Sequence, residues 1–273
     1  MDRRSGHGGR GARSRVRLVD SHAHLQADAF SDALDVLSAA RLAGVERVLA
    51  PGWDVGSSRA SIELAGLAGV DASAGIHPHE ASRSDESSWS AIVELSRDPS
   101  VVAIGETGLD YDRGFSPRDV QLANLRRHLA LAIEREKPVI LHCRSRPGAR
   151  DAQDDLVAAL ADHPAVRPIL HSFSGPVDYA ERVLSMGGVV SFSGLVFRAG
   201  EEASAEVART APPDRLLVET DSPYLSPPGA PRRRNEPRWV EVTARWVAER
   251  RAESVERLGD LLVANYDRTF SRR

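Results

Sequence analysis

The chain has 273 residues, of which 41% are hydrophobic and 27% charged, enough to bury one large core. Its formal net charge of -3 excludes a protein that is basic throughout, so any affinity for nucleic acid must come from local patches. The sequence contains one cysteine and no apolar run as long as a bilayer span, so it predicts a cytoplasmic protein without an internal disulfide or a membrane contact.

The amino-terminal segment 1–17 differs in composition from the rest of the chain. It contains six arginines and four glycines and almost no apolar side chain. Such a composition predicts a disordered basic tail, either simply solvated or in contact with nucleic acid. We expect residues 18–273 to form a single domain.

Short apolar runs rich in β-branched residues alternate along this domain with stretches of helical spacing. Each run is nearly continuously apolar, as in parallel strands that are buried on both faces. Helical spacing is clear in Ala33, Val36, Leu37 and Ala40, and a last helical region is expected over about 237–270. The predicted strands are, in chain order, 16–20, 47–51, 71–76, 101–106, 138–143, 167–172, 188–193 and 216–221.

Eight strands joined by helices predict a closed (β/α)8 barrel of the TIM type, here with an extra carboxyl-terminal helix. The alternative is an open, doubly wound α/β sheet, which normally carries a glycine-rich phosphate loop after its first strand. In this chain the first strand is followed by SHAHL, which contains no glycine. The pattern therefore favours the barrel.

Residue types that bind metals recur where the predicted strands end. The carboxyl ends of barrel strands converge on one mouth, so residues distant in sequence can meet there. One such histidine alone is more often a core residue, and one such aspartate is often a helix cap. The joint pattern indicates a metal site, with six candidate ligands: His22, His24, Glu106, His142, His171 and Asp221.

The spacing of these candidates suits two divalent cations. Side chains two residues apart in an extended chain point the same way, so His22 and His24 can meet one ion. The two oxygens of Glu106 can bridge two ions, and His142 and His171 can complete the second site. Imidazole and carboxylate together suit zinc, manganese, iron or, less strongly, magnesium. Such a pair of ions can clamp the attacking and leaving oxygens of a phosphate.

The motifs around these residues resemble those of the TatD family of metal-dependent deoxyribonucleases. The similarity extends from Leu18 to Phe270, nearly the whole predicted domain. The ordered motifs that carry it are DSHAHL at 20–25, GIHPHE at 75–80, IGETGLDY at 104–111, LHCR at 141–144, LHSFSG at 170–175, ETDSPYL at 219–225, RRNEP at 233–237 and NYDRTF at 265–270.

The resemblance implies a deoxyribonuclease with 3′–5′ exonuclease activity, in which a water activated by two metals attacks phosphorus. Its catalytic residues would be the bridging Glu106 and Asp221, which would orient or deprotonate the water. Asp110 and Glu219 would orient ligands through hydrogen bonds. The substrate would be DNA, with RNA or tRNA also possible, and the protein a monomer. One metal would be held by His22, His24, Asp221 and Glu106, and the other by Glu106, His142 and His171.

Substrate contacts are expected from the loops of the mouth. The resemblance implies them for the histidines after the third strand, for which a structural role is the alternative. Arginine binds phosphate through paired hydrogen bonds, and an arginine run follows the last strand, although such runs are usually solvated. The expected substrate-binding residues are His77, His79, Arg144, Arg233 and Asn235.

One departure from the family pattern is the insertion SRPGA at 145–149, beside the expected mouth. We expect this insertion to affect the range of substrates more than the binding of metals. Two other functions fit the same ligands. The first is hydrolysis of another ester or amide, such as aminoacyl-tRNA. Many related barrels bridge their metals with a carboxylated lysine on the fourth strand. This chain has Glu106 there, and its only lysine, Lys137, precedes the fifth strand, at the wrong end of the barrel. The second is metal binding without turnover.

Overall fold

The computed structural model describes residues 16–271. Of the predicted tail 1–17, residues 1–15 lie outside the described residues, as do residues 272 and 273. Arg17 is tied to the folded domain, because its Nε lies 2.7 Å from a carboxylate oxygen of Glu46. Across residues 16–271, no helix combines the length and the apolar character needed to cross a membrane.

Eight parallel strands form one sheet in the order of the chain. The first and last strands meet just beyond their carboxyl ends, where Ser21 N donates to Val218 O at 3.1 Å and Ala23 bridges Ser222. This contact closes the sheet and confirms the barrel prediction. The strands are β1 (Leu18–Asp20), β2 (Val45–Ala50), β3 (Val70–Ala74), β4 (Val101–Asp110), β5 (Val139–Arg144), β6 (Pro168–Leu170), β7 (Val189–Phe192) and β8 (Leu216–Val218).

A helix follows each strand, and the core lies between the helices and the sheet. In the helix after β4, Leu125 and Leu129 are fully buried at a spacing of four residues, whereas Ile133 is 37% exposed. The helices are α1 (Ala33–Leu42), α2 (Val55–Leu64), α3 (Glu86–Leu95), α4 (Arg118–Glu134), α5 (Asp151–Ala161), α6 (Val177–Ser185), α7 (Glu202–Thr210), α8 (Val240–Arg250) and α9 (Val255–Phe270), with short 3-10 turns at Asp28–Phe30, Gly194–Phe197, Pro213–Arg215 and Pro237–Trp239.

The predicted helical region over 237–270 contains two helices, α8 and α9. Between them Ala252 adopts a left-handed backbone with φ of 52°, which ends the regular helical path. Ser254 then caps α9, because its side chain accepts a hydrogen bond from Arg257 N at 3.2 Å. The additional carboxyl-terminal helix expected from the sequence is α9.

The far end of α9 is anchored near the amino-terminal ends of β2 and β3. Tyr266 Oη donates to the buried carboxylate of Asp71 at 2.9 Å, and Arg47 pairs with the same carboxylate. A buried charge is stable when its oxygens are hydrogen-bonded in this way. The additional helix is therefore fixed at the end of the barrel opposite the strand carboxyl termini.

β4 is longer than predicted, and the expectation that Glu106 ends this strand was wrong. The strand continues to Asp110, with Gly108 opposite His142 and Asp110 opposite Arg144 in β5. Gly108 has a φ of 137°, and a Cβ there would lie 2.0 Å from His142 O. Only glycine therefore permits this pairing. The strand continues past its predicted end because Asp110, its last residue, is buried in contact with His142 and His79.

Candidate metal centre

The predicted ligands gather around Glu106, which is only 3% exposed. One carboxylate oxygen, Oε2, faces the histidines that follow β1. It lies 3.3 Å from His22 Nε2 and 3.9 Å from His24 Nε2. The two ring nitrogens lie 3.3 Å from each other, so the one-residue spacing does place both imidazoles at one point.

The other oxygen of Glu106, Oε1, faces a different set of histidines. It lies 3.3 Å from His142 Nδ1 and 3.1 Å from His171 Nε2. His77 Nε2 lies 3.2 Å from the same oxygen, although the sequence predicted this residue for substrate contact. The carboxylate is thus shared between two groups of nitrogen atoms, one on each oxygen.

Asp221 lies on the His22 and His24 side of the site. Its Oδ1 is 3.3 Å from His24 Nε2 and 3.8 Å from His22 Nε2. The residue follows β8 with a left-handed backbone, φ of 55°, a conformation that aspartate adopts more readily than most residues. Asp221 N donates to His22 O at 2.9 Å, so the contact that closes the barrel also holds this carboxylate beside the histidines.

Two buried carboxylates contact the outer nitrogens of the second group. Glu219 Oε1 lies 3.0 Å from His171 Nδ1, and Asp110 Oδ2 lies 3.1 Å from His142 Nε2. Asp110 also accepts from Arg113 N at 2.8 Å, which fixes its carboxylate. These contacts orient the two rings toward Glu106, as expected from the sequence for Asp110 and Glu219.

The donor set fits a bound cation. In a neutral imidazole one nitrogen carries the proton and the other a lone pair. When Asp110 and Glu219 accept the ring protons, the nitrogens of His142 and His171 that face Glu106 present lone pairs to a carboxylate oxygen. Such atoms repel each other unless a positive charge lies among them. Several triads of these ligand atoms lie within 4.8 Å of one another, among them His22, His24 and Glu106, then His22, His171 and Asp221, then Glu106, His142 and His171.

The charges of the cluster favour an ionised carboxylate at its centre. Burial opposes ionisation of Glu106, yet the charges of His77, His171 and His22 outweigh burial and hold its pKa well below the usual value. Burial likewise opposes protonation of His171, but attraction to Glu106 and Glu219 raises its pKa well above the usual value. The carboxylates of Glu106 and Glu219 therefore stabilise positive charge on His171, whereas burial lowers the pKa of His22 and of His77.

The predicted substrate residues fall into different environments. His77 and His79 lie in the mouth, and His79 Nε2 is 2.8 Å from Asp110 Oδ2. Arg144 ends β5 and pairs with Asp112 at 2.8 Å while remaining half exposed. Arg233 is exposed on the loop after β8, and its side chain has no ion-pair partner within residues 16–271. The insertion 145–149 begins directly after β5, at the same end of the barrel.

Asn235 lies in a different environment from the other residues predicted to contact substrate. The residue is fully buried, and its amide nitrogen donates to Thr220 O and to Tyr224 O, both at 2.8 Å. Both amide protons are therefore used, and the side chain has no exposed surface for a ligand. Asn235 instead fastens the loop after β8 beneath the mouth.

Sequence reasoning missed three aromatic side chains at the mouth. Trp53 and Tyr224 pack against His24, with ring centroids 5.1 and 5.7 Å away. Phe115 packs against His79 at 4.8 Å. Each of these residues follows a strand by a few positions. An aromatic residue in a loop after a strand was the feature of the sequence that could have indicated them.

A parallel barrel whose carboxyl-terminal mouth gathers histidines around a buried carboxylate is the architecture of a metal-dependent hydrolase. The family model described as TatD related DNase matches residues 19–271. The chain therefore belongs to the TatD family, and the predicted family and enzyme class are confirmed.

Individual relatives cover nearly the full domain. The chain is 36% identical over 257 residues to the uncharacterized metal-dependent hydrolase YabD of Bacillus subtilis, covering 93% of this chain and 98% of that protein. It is 37% identical over 268 residues to the 3′-5′ ssDNA/RNA exonuclease TatD of Klebsiella pneumoniae, covering 93% and 97%. The crystal structure of YjjV, a TatD homolog from Escherichia coli, matches with a TM-score of 0.83 at 27% identity, covering 93% and 98%.

Proposed function

We propose that this protein hydrolyses phosphodiester bonds of single-stranded DNA from the 3′ end with two divalent cations. The observation that carries this proposal is the placement of the two carboxylate oxygens of Glu106. One oxygen faces His22 and His24, and the other faces His142 and His171. A carboxylate placed in this way suits a bridge between two ions. The Klebsiella relative named as a 3′-5′ ssDNA/RNA exonuclease supports the choice of substrate.

The residues divide into two proposed ligand sets. Imidazole nitrogen with carboxylate oxygen suits zinc or manganese, and magnesium less strongly. When bound, such cations make water more acidic and neutralise charge that develops on a phosphate. The proposed sets are His22, His24, Asp221 and Glu106 for one ion, and Glu106, His142 and His171 for the other.

Asp221 is the proposed proton acceptor for the attacking water. Burial opposes its ionisation, but the hydrogen bond from His24 and the charges of His171 and His24 hold its pKa below the usual value. An ionised carboxylate at the edge of the cluster can orient water and accept its proton. Glu219 and Asp110 would keep the rings of His171 and His142 in position throughout the reaction.

The substrate backbone would be bound by the residues around the cluster. Arg233 is available for a phosphate because its side chain is exposed and has no ion pair among the described residues. Arg144 would exchange its contact with Asp112 for a phosphate oxygen. His77 and His79 line the mouth on the same side as Glu106 Oε1, where they can donate to a phosphate. We further propose a monomer, as the family resemblance implies, which sedimentation can test, and a cytoplasmic location, as expected from the sequence.

The proposal is tested with protein stripped by a chelator and then supplied with Mg²⁺, Mn²⁺ or Zn²⁺. A single-stranded DNA oligonucleotide labelled at its 5′ end should shorten stepwise from its 3′ end, and a blocked 3′ end should stop shortening. Glu106→Gln should lower kcat/KM more than about 100-fold, because even loss of a hydrogen-bond partner of a ligand costs about 10- to 100-fold. Elemental analysis should find two ions per wild-type chain and fewer in Glu106→Gln.

Glu80→Gln is the matched control, since Glu80 also lies in a loop after a strand but pairs with Arg83 at 3.3 Å. It should leave metal content and turnover unchanged. Release of free amino acid from charged tRNA, with DNA intact in parallel reactions, would replace the nuclease proposal with ester hydrolysis. Two bound ions without hydrolysis of either substrate would favour a metal-binding protein without turnover. A Glu106→Gln variant with normal activity would refute the shared carboxylate.

A further inference from the structure

Two aromatic rings at the mouth are exposed to solvent, although large apolar side chains are usually buried. Phe115 is 64% exposed and Tyr224 is 58% exposed. Single exposed apolar residues are common on protein surfaces and have no special meaning. These two differ because each ring packs against a histidine of the mouth, Phe115 on His79 and Tyr224 on His24.

The two rings lie on opposite sides of the candidate metal centre. Phe115 follows β4 and Tyr224 follows β8, and these strands are four positions apart in a closed sheet of eight strands. Their histidines also differ in position. His24 faces Glu106 Oε2, whereas His79 packs on His77, which faces Glu106 Oε1. A phosphate held at Glu106 would therefore have one aromatic ring on each side.

Hydrogen bonds fasten the loops that carry both rings. The backbone carbonyl of Tyr224 accepts from the buried Asn235 amide at 2.8 Å. Next to Phe115, Ser116 Oγ accepts from Ser82 N at 3.0 Å. The loops are thus fastened while the rings face solvent, so the rings form surfaces that are ready for a flat ligand without reordering of the loops.

We infer that Phe115 and Tyr224 are stacking sites for the two unpaired bases that flank the bond to be cleaved. This inference rests on the proposed function and extends it, because it assigns recognition of the bases to named residues. Aromatic side chains bind single-stranded nucleic acid by stacking, with little dependence on sequence. In a duplex the two bases that flank the first bond are stacked on each other and paired at their edges, so they cannot separate to reach two opposite walls. The mouth accordingly selects a frayed or single-stranded end.

The test measures kcat/KM for 3′ trimming of single-stranded oligonucleotides, with a normal base or an abasic unit on either side of the first bond. Loss of one stacked base from wild-type protein should lower kcat/KM about tenfold, the equivalent of about 1.4 kcal/mol. Phe115→Ala and Tyr224→Ala should each slow cleavage of normal DNA to a similar degree. Each variant should also become insensitive to an abasic unit on one side only, because the base there has lost its partner.

Three further variants test whether the aromatic rings themselves bind the bases. Phe115→Tyr and Tyr224→Phe keep the rings and should retain wild-type rates, which would exclude a role for the Tyr224 hydroxyl. Leu42→Ala removes a side chain that is 81% exposed at the end of α1, and it should change nothing. If both alanine variants trim DNA normally and remain sensitive to abasic units, the stacking inference is wrong and the nuclease proposal stands. If wild-type protein cleaves no phosphodiester with any metal, the nuclease proposal fails and the inference fails with it.

Discussion

His128 in α4 is a fully buried histidine whose hydrogen bonds require the neutral ring. Its Nε2 accepts from Ile76 N at 3.0 Å, so its Nδ1 carries the proton and donates to Asn124 O at 2.7 Å. A second proton would break the contact with Ile76 and place a charge in the core. Burial lowers the pKa of His128 from 6.5 to about 3.

This shift predicts how protein stability depends on pH. Above pH 6.5 the ring is neutral in both the folded and the unfolded chain, and the stability is complete. As the pH falls below 6.5, the unfolded chain binds a proton that the folded chain rejects until about pH 3, so the free energy of unfolding decreases. At pH 5, about 1.5 units below the unfolded value, the loss from this residue is about 2 kcal/mol at 1.36 kcal/mol per unit.

His128→Gln isolates this contribution, because glutamine can occupy a similar volume and does not titrate. Urea unfolding of both proteins, followed by circular dichroism in the same chelating buffer at pH 8, 7, 6 and 5, gives the difference directly. Other histidines titrate in both proteins and cancel. Between pH 8 and pH 5 the wild type should lose about 2 kcal/mol more than the variant. Parallel curves for the two proteins would refute the assignment of a buried neutral ring.

Three other substitutions test contacts described above. Gly108→Ala places a methyl group against the backbone of His142, so we expect lower thermal stability and loss of turnover, and a variant with wild-type thermal stability would contradict the close approach of β4 and β5. Asn235→Ala removes the hydrogen bonds to the carbonyls of Thr220 and Tyr224, of which the first is buried, and should cost about 1–3 kcal/mol in urea unfolding; a raised KM with unchanged stability would instead support its predicted substrate role. Tyr266→Phe removes a hydrogen bond to the buried Asp71 and should cost about 1.5–3 kcal/mol, and an unchanged denaturation midpoint would show that α9 is held by other contacts.

The order and number of strands could be predicted because each is a buried apolar run between helical stretches. The strand ends could not. β4 continues past Glu106 to Asp110 because Asp110 is buried against His142, and an apolar pattern cannot indicate that. β8 ends at Val218, before Asp221, because the chain there turns into the loop that closes the barrel.

The site could be predicted as a group of residues but not as a set of contacts. Strand ends converge by topology, so the sequence was sufficient to bring Glu106 together with His22 and His171. The oxygen of Glu106 that each ring faces depends on side-chain rotamers, and the pattern carries no such information. The burial of Asn235 could not be predicted because a polar residue beside an arginine run suggests exposure, whereas its amide donates to the carbonyls of Thr220 and Tyr224.

The length of β4 limits how this mouth can change. Glu106 and Asp110 lie on one strand and both contact the ring of His142, so they occupy the same face of the sheet. Inserting or deleting a single residue at its start would turn both acids toward the outer helices at once, since neighbouring positions on a strand alternate between faces. The shape of the mouth, and so the ligands that it admits, can therefore vary only through the connecting loops, such as 145–149. These loops can lengthen or shorten without moving either acid.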